Sequence, residues 1–343
     1  MKYEVIAREE LASFVGHLLP ETEVVGVKRK GSAYAYDKIE SPDELCLDYN
    51  VTLLPPKVYL TPPLESLLSF QLGKTPKVKP VIKASPLVIF GVHPDDLKAI
   101  ELMDAVYADP KNPDANYMER KKNLTIIGVD CLDPSPTAFA ASMGTNVTDT
   151  GFDLMLTDIG DSYVVEIGSA KGEQLLKKHG KTKKAEQAHL TKRQEARQKA
   201  ASKYQLSLLV QPREIPRLLE GNWEHPVWKE LGEKCFSCGS CTMVCPTCVC
   251  FDVRDEMATN LANGERLRQW DSCMLTDFAK VASGENFRKD GVNRLRHRLF
   301  RKGKYMLELY GKLGCVGCGR CVKVCLVDIA SPVQAYNRIK GGR

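Results

Sequence analysis

Eight cysteines in the last third of the chain repeat one spacing twice, and this repeat constrains the fold more than any other feature. The spacing is C-x2-C-x2-C-x3-C, and its two copies are Cys235, Cys238, Cys241, Cys245 and Cys315, Cys318, Cys321, Cys325. It is the ligand run of bacterial ferredoxins that bind 4Fe–4S clusters. Three close thiolates each reach a different iron of one cubane, whereas the fourth lies beyond that reach.

In two-cluster ferredoxins the fourth cysteine of each run binds the cluster of the other run. We therefore predict crossed ligand sets. Cluster 1 takes Cys235, Cys238, Cys241 and Cys325, and cluster 2 takes Cys315, Cys318, Cys321 and Cys245. The expected cofactors are two 4Fe–4S clusters.

Disulfides and zinc are the alternative uses of so many cysteines. The N-terminal residues MKYEVIAREE are acidic and lack the apolar core of a secretory signal, so we expect a cytoplasmic protein with reduced thiols. Zinc sites typically use two separated cysteine pairs and not triplets with two-residue gaps. The repeat therefore favours iron–sulfur clusters over both alternatives.

Composition and charge restrict the partners. No apolar run approaches the 18 residues that indicate a membrane-spanning helix. Residues 177–203 contain ten Lys or Arg and two acids, so this segment carries a charge of +8. Because the net charge of the whole chain is +6, the rest of the chain carries about −2. Because aromatic residues are not interleaved with these cations, we expect no nucleic-acid binding. The segment is typical of a solvated helix or linker, or of a surface that docks onto an acidic partner.

The N-terminal part, residues 1–171, shows the pattern of a mixed α/β domain. Leu11, Phe14, Val15 and Leu18 share one helical face. Buried strands are predicted at 86–92 and 124–130, and a helix begins at Pro94. Residues 152–168 have the pattern of a hairpin that turns at Gly160 and Asp161.

Two further segments follow this domain. Residues 172–205 are predicted to be a basic helical linker because they are rich in helix formers without a clear apolar face. Residues 206–343 are predicted to form an α-helical ferredoxin domain. Its insert between Cys245 and Cys315 spans 70 positions and carries helical patterns at 276–283 and 291–302. The expected fold class is α+β.

Several groups near the cysteine runs have roles that the sequence leaves open. Cys248, Cys250 and Cys273 are either an extra metal site or buried thiols that pack near a cluster. Cations between 294 and 304 are expected on a solvated helix face, where they also balance the negative charge of a cluster. The chain has no G-x-G-x-x-G after a strand and no P-loop, so we expect no nicotinamide or flavin site and no catalysis by the chain alone.

Longer segments resemble one family, which comprises iron–sulfur subunits of anaerobic sulfite reductases and the β subunits of NAD(P)-linked sulfhydrogenases. The resemblance rests on KCFSCGSCTMVCPTCVC, GERLRQWDSC, CVGCGRCVKVC, FGVHPDD and GFDLMLTDIG and covers nearly the whole chain. It implies an anaerobic electron relay between a flavoprotein subunit that oxidises NAD(P)H and a catalytic or bifurcating subunit. The alternatives are a heterodisulfide-reductase-type relay subunit, or a non-redox structural or sensor protein with bound metal.

The chain departs from this family in its N-terminal part. Many members have additional cysteines there that bind a further cluster. The corresponding positions in this chain are Asp95, Cys131, Ala138 and Ala140. Alanine cannot bind iron, and one thiol with one carboxylate is too few for a cluster. We therefore predict that the N-terminal domain keeps its fold and has lost this cluster.

Overall fold

The computed structural model describes residues 2–341, and its N-terminal part combines a large sheet with flanking helices. The elements are β1 (Lys2–Ala7), α1 (Arg8–Leu18), β2 (Glu23–Lys30), β3 (Ala33–Lys38), β4 (Leu64–Gln71), β5 (Lys77–Pro80), β6 (Leu87–Val92), α2 (Pro94–Tyr107), α3 (Ala115–Asn123), β7 (Leu124–Val129), α4 (Ala140–Met143), β8 (Leu154–Asp158), β9 (Ser162–Ile167), α5 (Ala170–His179), β10 (Thr182–Lys184) and α6 (Gln187–Ser202).

The large sheet has the strand order β10-β1-β9-β8-β7-β6-β2-β3. Its centre is parallel, because β2, β6, β7 and β8 run in one direction, and its remaining pairs are antiparallel. The apolar strands β6 and β7 lie at this centre, covered on both faces as parallel strands normally are. The structure confirms the helix predicted from Leu11, Phe14, Val15 and Leu18, the strands predicted at 86–92 and 124–130, and the hairpin predicted at 152–168.

The segment predicted to be a basic linker is packed structure. β10 pairs antiparallel with β1, and α6 lies on the sheet beside β8 and β9. Arg193 and Arg197 of α6 form ion pairs with the buried carboxylates of Glu166 and Asp130. The cations of α6 are therefore partly used to hold this helix on the sheet, which sequence composition alone does not reveal.

The C-terminal part is largely helical. Its elements are α7 (Ile215–Glu220), α8 (Val227–Gly232), α9 (Ser240–Met243), β11 (Phe251–Met257), β12 (Asn263–Trp270), α10 (Gly291–Phe300), α11 (Met306–Tyr310), α12 (Arg320–Lys323) and α13 (Pro332–Ile339). A π-helical segment, Arg301–Tyr305, joins α10 to α11. Trp228, Leu295, Leu299 and Tyr336 belong to a separate apolar core here.

The insert between the two cysteine runs differs from the sequence prediction. It contains the hairpin β11–β12, and the predicted helix at 276–283 is only a 3-10 turn at Asp277–Ala279. The predicted helix at 291–302 is confirmed. β12 pairs with β4 in a four-stranded sheet of order β11-β12-β4-β5, so the insert is joined to the N-terminal part. A buried Arg268–Glu65 ion pair at 2.6 Å crosses the same contact.

Candidate metal centres

The two cysteine runs follow the same backbone path. Gly239 (φ 78°) and Gly319 (φ 77°) each precede a one-turn helix, α9 or α12, in the left-handed conformation. Two residues earlier, Ser237 (φ 53°) and Gly317 (φ 71°) also have positive φ. These turns bend the chain around a centre, so the three leading cysteines of each run converge on one side.

The first cavity is lined by Cys235, Cys238, Cys241 and Cys325. Its remaining wall is mostly apolar and includes Met274, Leu295, Val327, Ile329 and Ala330. The fourth cysteine of the second run thus lies with the three leading cysteines of the first run.

The second cavity shows the reciprocal arrangement, because it is lined by Cys245, Cys315, Cys318 and Cys321. Phe139 from the N-terminal part, Pro332 and the cations Arg298 and Lys302 complete its wall. The structure therefore brings together the four thiols of each crossed set.

The donor set fits a 4Fe–4S cluster at each cavity. Each cavity offers four thiols in a mainly apolar wall, and soft thiolates are the usual ligands of such clusters. In the first cavity, amide groups already point at sulfur: the N–H of Ser237 donates to Cys235 Sγ and that of Ile329 donates to Cys325 Sγ, each at 3.4 Å. Within residues 2–341, no group of three or more His, Cys, Asp or Glu side chains is close enough together to hold a single metal ion.

Arg298 lies between the two cavities. Its side chain is 2% exposed, and its Nη1 donates to the carbonyl of Ala330 at 3.0 Å. Burial alone would lower the pKa of Arg298, but the surrounding thiols, led by Cys241 of the first cavity and Cys321 of the second, raise it. The guanidinium therefore stays charged next to both sites.

Lys302 is a second buried cation, and of the two cavities it lines only the second. Its Nζ donates to the carbonyl and hydroxyl oxygens of Thr247 at 3.0 and 2.8 Å. Burial would raise the pKa of Cys245, but Lys302 and the Thr247 hydroxyl reverse the effect and lower it. A lysine held in this way favours the thiolate form of Cys245, which is the form that binds iron.

These buried cations correct the prediction of a solvated helix face. Arg294, Arg298 and Lys302 follow one another at four-residue intervals and are all buried. Four-residue spacing places side chains on one face of a helix, so this face turns inward. The four-residue spacing of these cations was the sequence signal for an inward helix face, although the high charge of the other residues of the helix obscured it.

The two cavities differ in their distance from solvent. At the first, the thiol of Cys238 is exposed, and the neighbouring side chains Phe236 and Leu326 are 68% and 89% exposed. At the second, Cys318 is buried, and residues 137–140 of the N-terminal part lie against its loop. A Cβ on Gly317 would come within 2.7 Å of the Ala140 Cα atom.

A buried ion pair fixes the second loop to the N-terminal part. Arg320, next to the ligand candidate Cys321, donates from Nη1 and Nη2 to the two carboxylate oxygens of Asp96, each at 2.6 Å. Its Nε and Nη2 also donate to the carbonyl and hydroxyl of Thr52. The bidentate geometry is the strong form of this interaction. Neither Arg320 nor Asp96 was predicted from the sequence to contact the second cluster site.

The positions of the additional family cluster lie on the same side of the second cavity. Asp95 and Cys131 are electrostatic neighbours, and burial raises the pKa of both groups. Ala138 and Ala140 are buried beside the loop of Gly317 and Gly319. The N-terminal fold is therefore present around one thiol and one carboxylate, and loss of this cluster stays a prediction.

Comparison with known proteins places these features in a family. Residues 234–329 match the 4Fe-4S dicluster domain, and this range contains all eight cysteines of the two cavities. The whole chain is similar to the sulfhydrogenase 2 subunit beta of Pyrococcus furiosus, with 34% identity over 343 residues that cover 100% of this chain and 99% of the relative. Among the described residues, no helix is long and apolar enough to cross a bilayer. The resemblance noted in the sequence is confirmed, and the chain belongs to the iron–sulfur protein family that includes this sulfhydrogenase β subunit.

Proposed function

We propose that this chain is an electron-transfer subunit that relays electrons through two 4Fe–4S clusters between a flavoprotein subunit that oxidises NAD(P)H and a catalytic or bifurcating subunit. The clusters would be held by the crossed sets Cys235, Cys238, Cys241, Cys325 and Cys315, Cys318, Cys321, Cys245. The single observation that carries the proposal is the pair of four-thiol cavities, each with thiols close to the buried cation Arg298.

The bound clusters would supply one-electron redox chemistry, and the protein sets its conditions. Thiolates and amide groups hold each site, and the apolar wall of the first cavity limits the access of water to its sulfur atoms other than that of Cys238. Arg298 and Lys302 place positive charge beside the second cavity, which favours the additional electron there. The surroundings therefore favour electron residence at cluster 2 over cluster 1.

The exposed edge of the first cavity supports a docking role for that end. A partner has direct access to Cys238 between the exposed apolar side chains of Phe236 and Leu326. Exposed apolar residues beside a functional site are typical of a protein interface. We place the contact with the flavoprotein subunit that donates electrons at this edge.

The proposal is tested with the complex purified under anaerobic conditions. Adding NAD(P)H to the complex should bleach the iron–sulfur absorption, whereas the isolated chain should show no bleaching. Phe236→Asp should slow this reduction at least tenfold without changing the iron content, since it places an unpaired charge at the contact. Leu261→Asp, at an exposed apolar position in the turn between β11 and β12, is the matched control. Stoichiometric zinc without visible absorption, or equal reduction of the isolated chain, would contradict the proposal.

A further inference from the structure

Three thiols outside the two cavities lie near one another. Cys250 and Cys273 line the same pocket, and Cys250 is an electrostatic neighbour of both Cys248 and Cys273. The backbone holds them there, because the N–H of Asp271 donates to the Cys250 carbonyl at 3.1 Å. Cys250 precedes β11 and Cys273 follows β12, so the hairpin brings the two thiols together.

Two of these thiols open into a pocket. Cys250 and Cys273 line a cavity of about 330 Å³, a volume within the usual range for small-molecule sites. Its other polar side chains are Arg288, Arg301 and His297. The Nε atom of Arg288 is buried and has no hydrogen-bond partner among the described residues. The pocket thus combines two thiols with an excess of positive charge, which suits an anionic ligand.

The same thiols lie next to the second cavity. The N–H of Cys248 donates to the carbonyl of Cys245, a predicted ligand of cluster 2, at 3.2 Å. Lys57 donates to the carbonyl of Cys248 at 3.0 Å, and its ammonium lies 4.1 Å from the ring centroid of Trp270. Lys57 and Lys302 thus bring positive charge close to the thiols of Cys248 and Cys245.

We propose that Cys250 and Cys273 form a redox-active dithiol that reduces small anionic disulfides in this pocket and is itself reduced by electrons from cluster 2. The second half of this inference rests on the proposed function, since it requires reduced clusters. The first half requires only the two thiols and the pocket.

The proposed reaction has two stages, thiol–disulfide exchange with the substrate and then reduction of the protein disulfide. The thiolate of Cys273 attacks one sulfur of the substrate disulfide, and the first substrate thiolate leaves. Cys250 then attacks the Cys273 sulfur, the second thiolate leaves, and a Cys250–Cys273 disulfide forms. When bound and reduced, the two clusters would supply one electron each to break this S–S bond, and two protons from solvent would restore both thiols. The hydrogen bond with Cys250 lowers the pKa of Cys273, which favours Cys273 as the attacking group.

The first experiment uses the anaerobic complex and 3,3′-dithiodipropionate, a disulfide with two carboxylates. Mass spectrometry after alkylation should find a Cys250–Cys273 disulfide. Dithiodipropionate should react at least tenfold faster than cystamine, which carries two ammonium groups. Arg288→Gln should abolish this preference, and Cys46→Ser, a control at a thiol distant from the pocket, should retain it. Alkylation of Cys250 and Cys273 as free thiols, or equal rates for both disulfides, would overturn the proposal.

The second experiment tests the link to the clusters. After oxidation of the dithiol, reductive titration of the complex should take up about two more electrons per chain with the wild-type chain than with Cys273→Ser, because only the wild type has the disulfide to reduce. If the iron–sulfur absorption is normal but the two complexes take up equal numbers of electrons, the electron link is refuted. If that absorption is missing, the proposed function fails, whereas the disulfide map still decides the thiol chemistry.

Discussion

The two candidate cluster sites have the same ligand spacing and the same turns but opposite surroundings. The first cavity has an apolar wall and an exposed edge, and the second has two buried cations and is covered by the N-terminal part. Ser237 and Gly317, which occupy equivalent positions in the two loops, show this difference in surroundings at single residues. Both have positive φ, but the Ser237 hydroxyl accepts a hydrogen bond from Arg294 at 2.7 Å, whereas Gly317 has no room for a side chain.

Cluster binding and the role of each cluster depend on different features of the two sites. Spacing and turn geometry are shared, so they account for cluster binding and not for the difference in function. Charge and solvent access differ, and these set the reduction potential and the possible partners. Under the proposed function, the first site would contact a partner, and the second would hold an electron in the interior.

The largest expected effect comes from removing the fourth ligand of each set. Cys325→Ala should remove cluster 1 and Cys245→Ala should remove cluster 2, each reducing the iron content from about eight to about four per chain. The two losses are told apart by the potential of the remaining cluster. Cys46→Ala should leave about eight irons. If Cys325→Ala removes the cluster of higher potential instead, the sets are not crossed.

A second effect concerns the ion pair that covers only the second site. Asp96→Asn leaves the charge of Arg320 buried without its partner, so the chain should lose about 3–5 kcal/mol of unfolding free energy. Asp255→Asn breaks the exposed pair with Arg266 and is the control, with no measurable change expected. Chemical denaturation, with cluster absorption recorded in parallel, measures both. Equal stability of the two variants would show that this pair does not hold the second site.

A smaller effect tests the difference in charge. Arg298→Met removes the cation shared by both sites, so both potentials should fall by on the order of 50–100 mV, corresponding to about 1–2 kcal/mol per electron. Lys302→Met should lower mainly the potential of cluster 2. Lys323→Met removes an exposed cation close to Cys321 and should have little effect because solvent and salt screen it. Redox titrations followed by electron paramagnetic resonance give these values, and equal shifts in all three variants would contradict the assignment.

The smallest effect is a pH dependence confined to the N-terminal part. The rings of His93 and Tyr49 are stacked with their centroids 3.9 Å apart, and burial lowers the pKa of His93 to about 3. Because the unfolded chain binds this proton near pH 6.5 and the folded chain binds it only near pH 3, His93 leaves stability unchanged above pH 6.5 and destabilises the fold progressively as the pH falls from 6.5 to about 3. Stability should fall by about 1.4 kcal/mol per pH unit below pH 6.5 from this group. His93→Gln should show a flatter profile in thermal unfolding between pH 7 and 5, and parallel profiles would exclude this role.

Local patterns predicted much of the molecule. The strands at 87–92 and 124–129 and the helix at 94–107 follow from apolar runs and from Pro94, and the cysteine spacing predicted the grouping of thiols in each cavity. Long-range contacts were not predictable in this way. The pairing of β12 with β4 joins residues about 200 positions apart, and the inward face of α10 is recognisable only once the cavities are known.

The central claim is that this chain carries two 4Fe–4S clusters, one exposed and one buried, and no third. Iron analysis with electron paramagnetic resonance of the fully reduced complex tests it most directly, with the signals assigned to this chain through Cys325→Ala and Cys245→Ala. We expect about eight irons in this chain and two interacting signals, the buried cluster having the higher potential. About twelve irons would show that the N-terminal cluster persists despite Asp95, Ala138 and Ala140, and about four would show that one cavity holds no cluster.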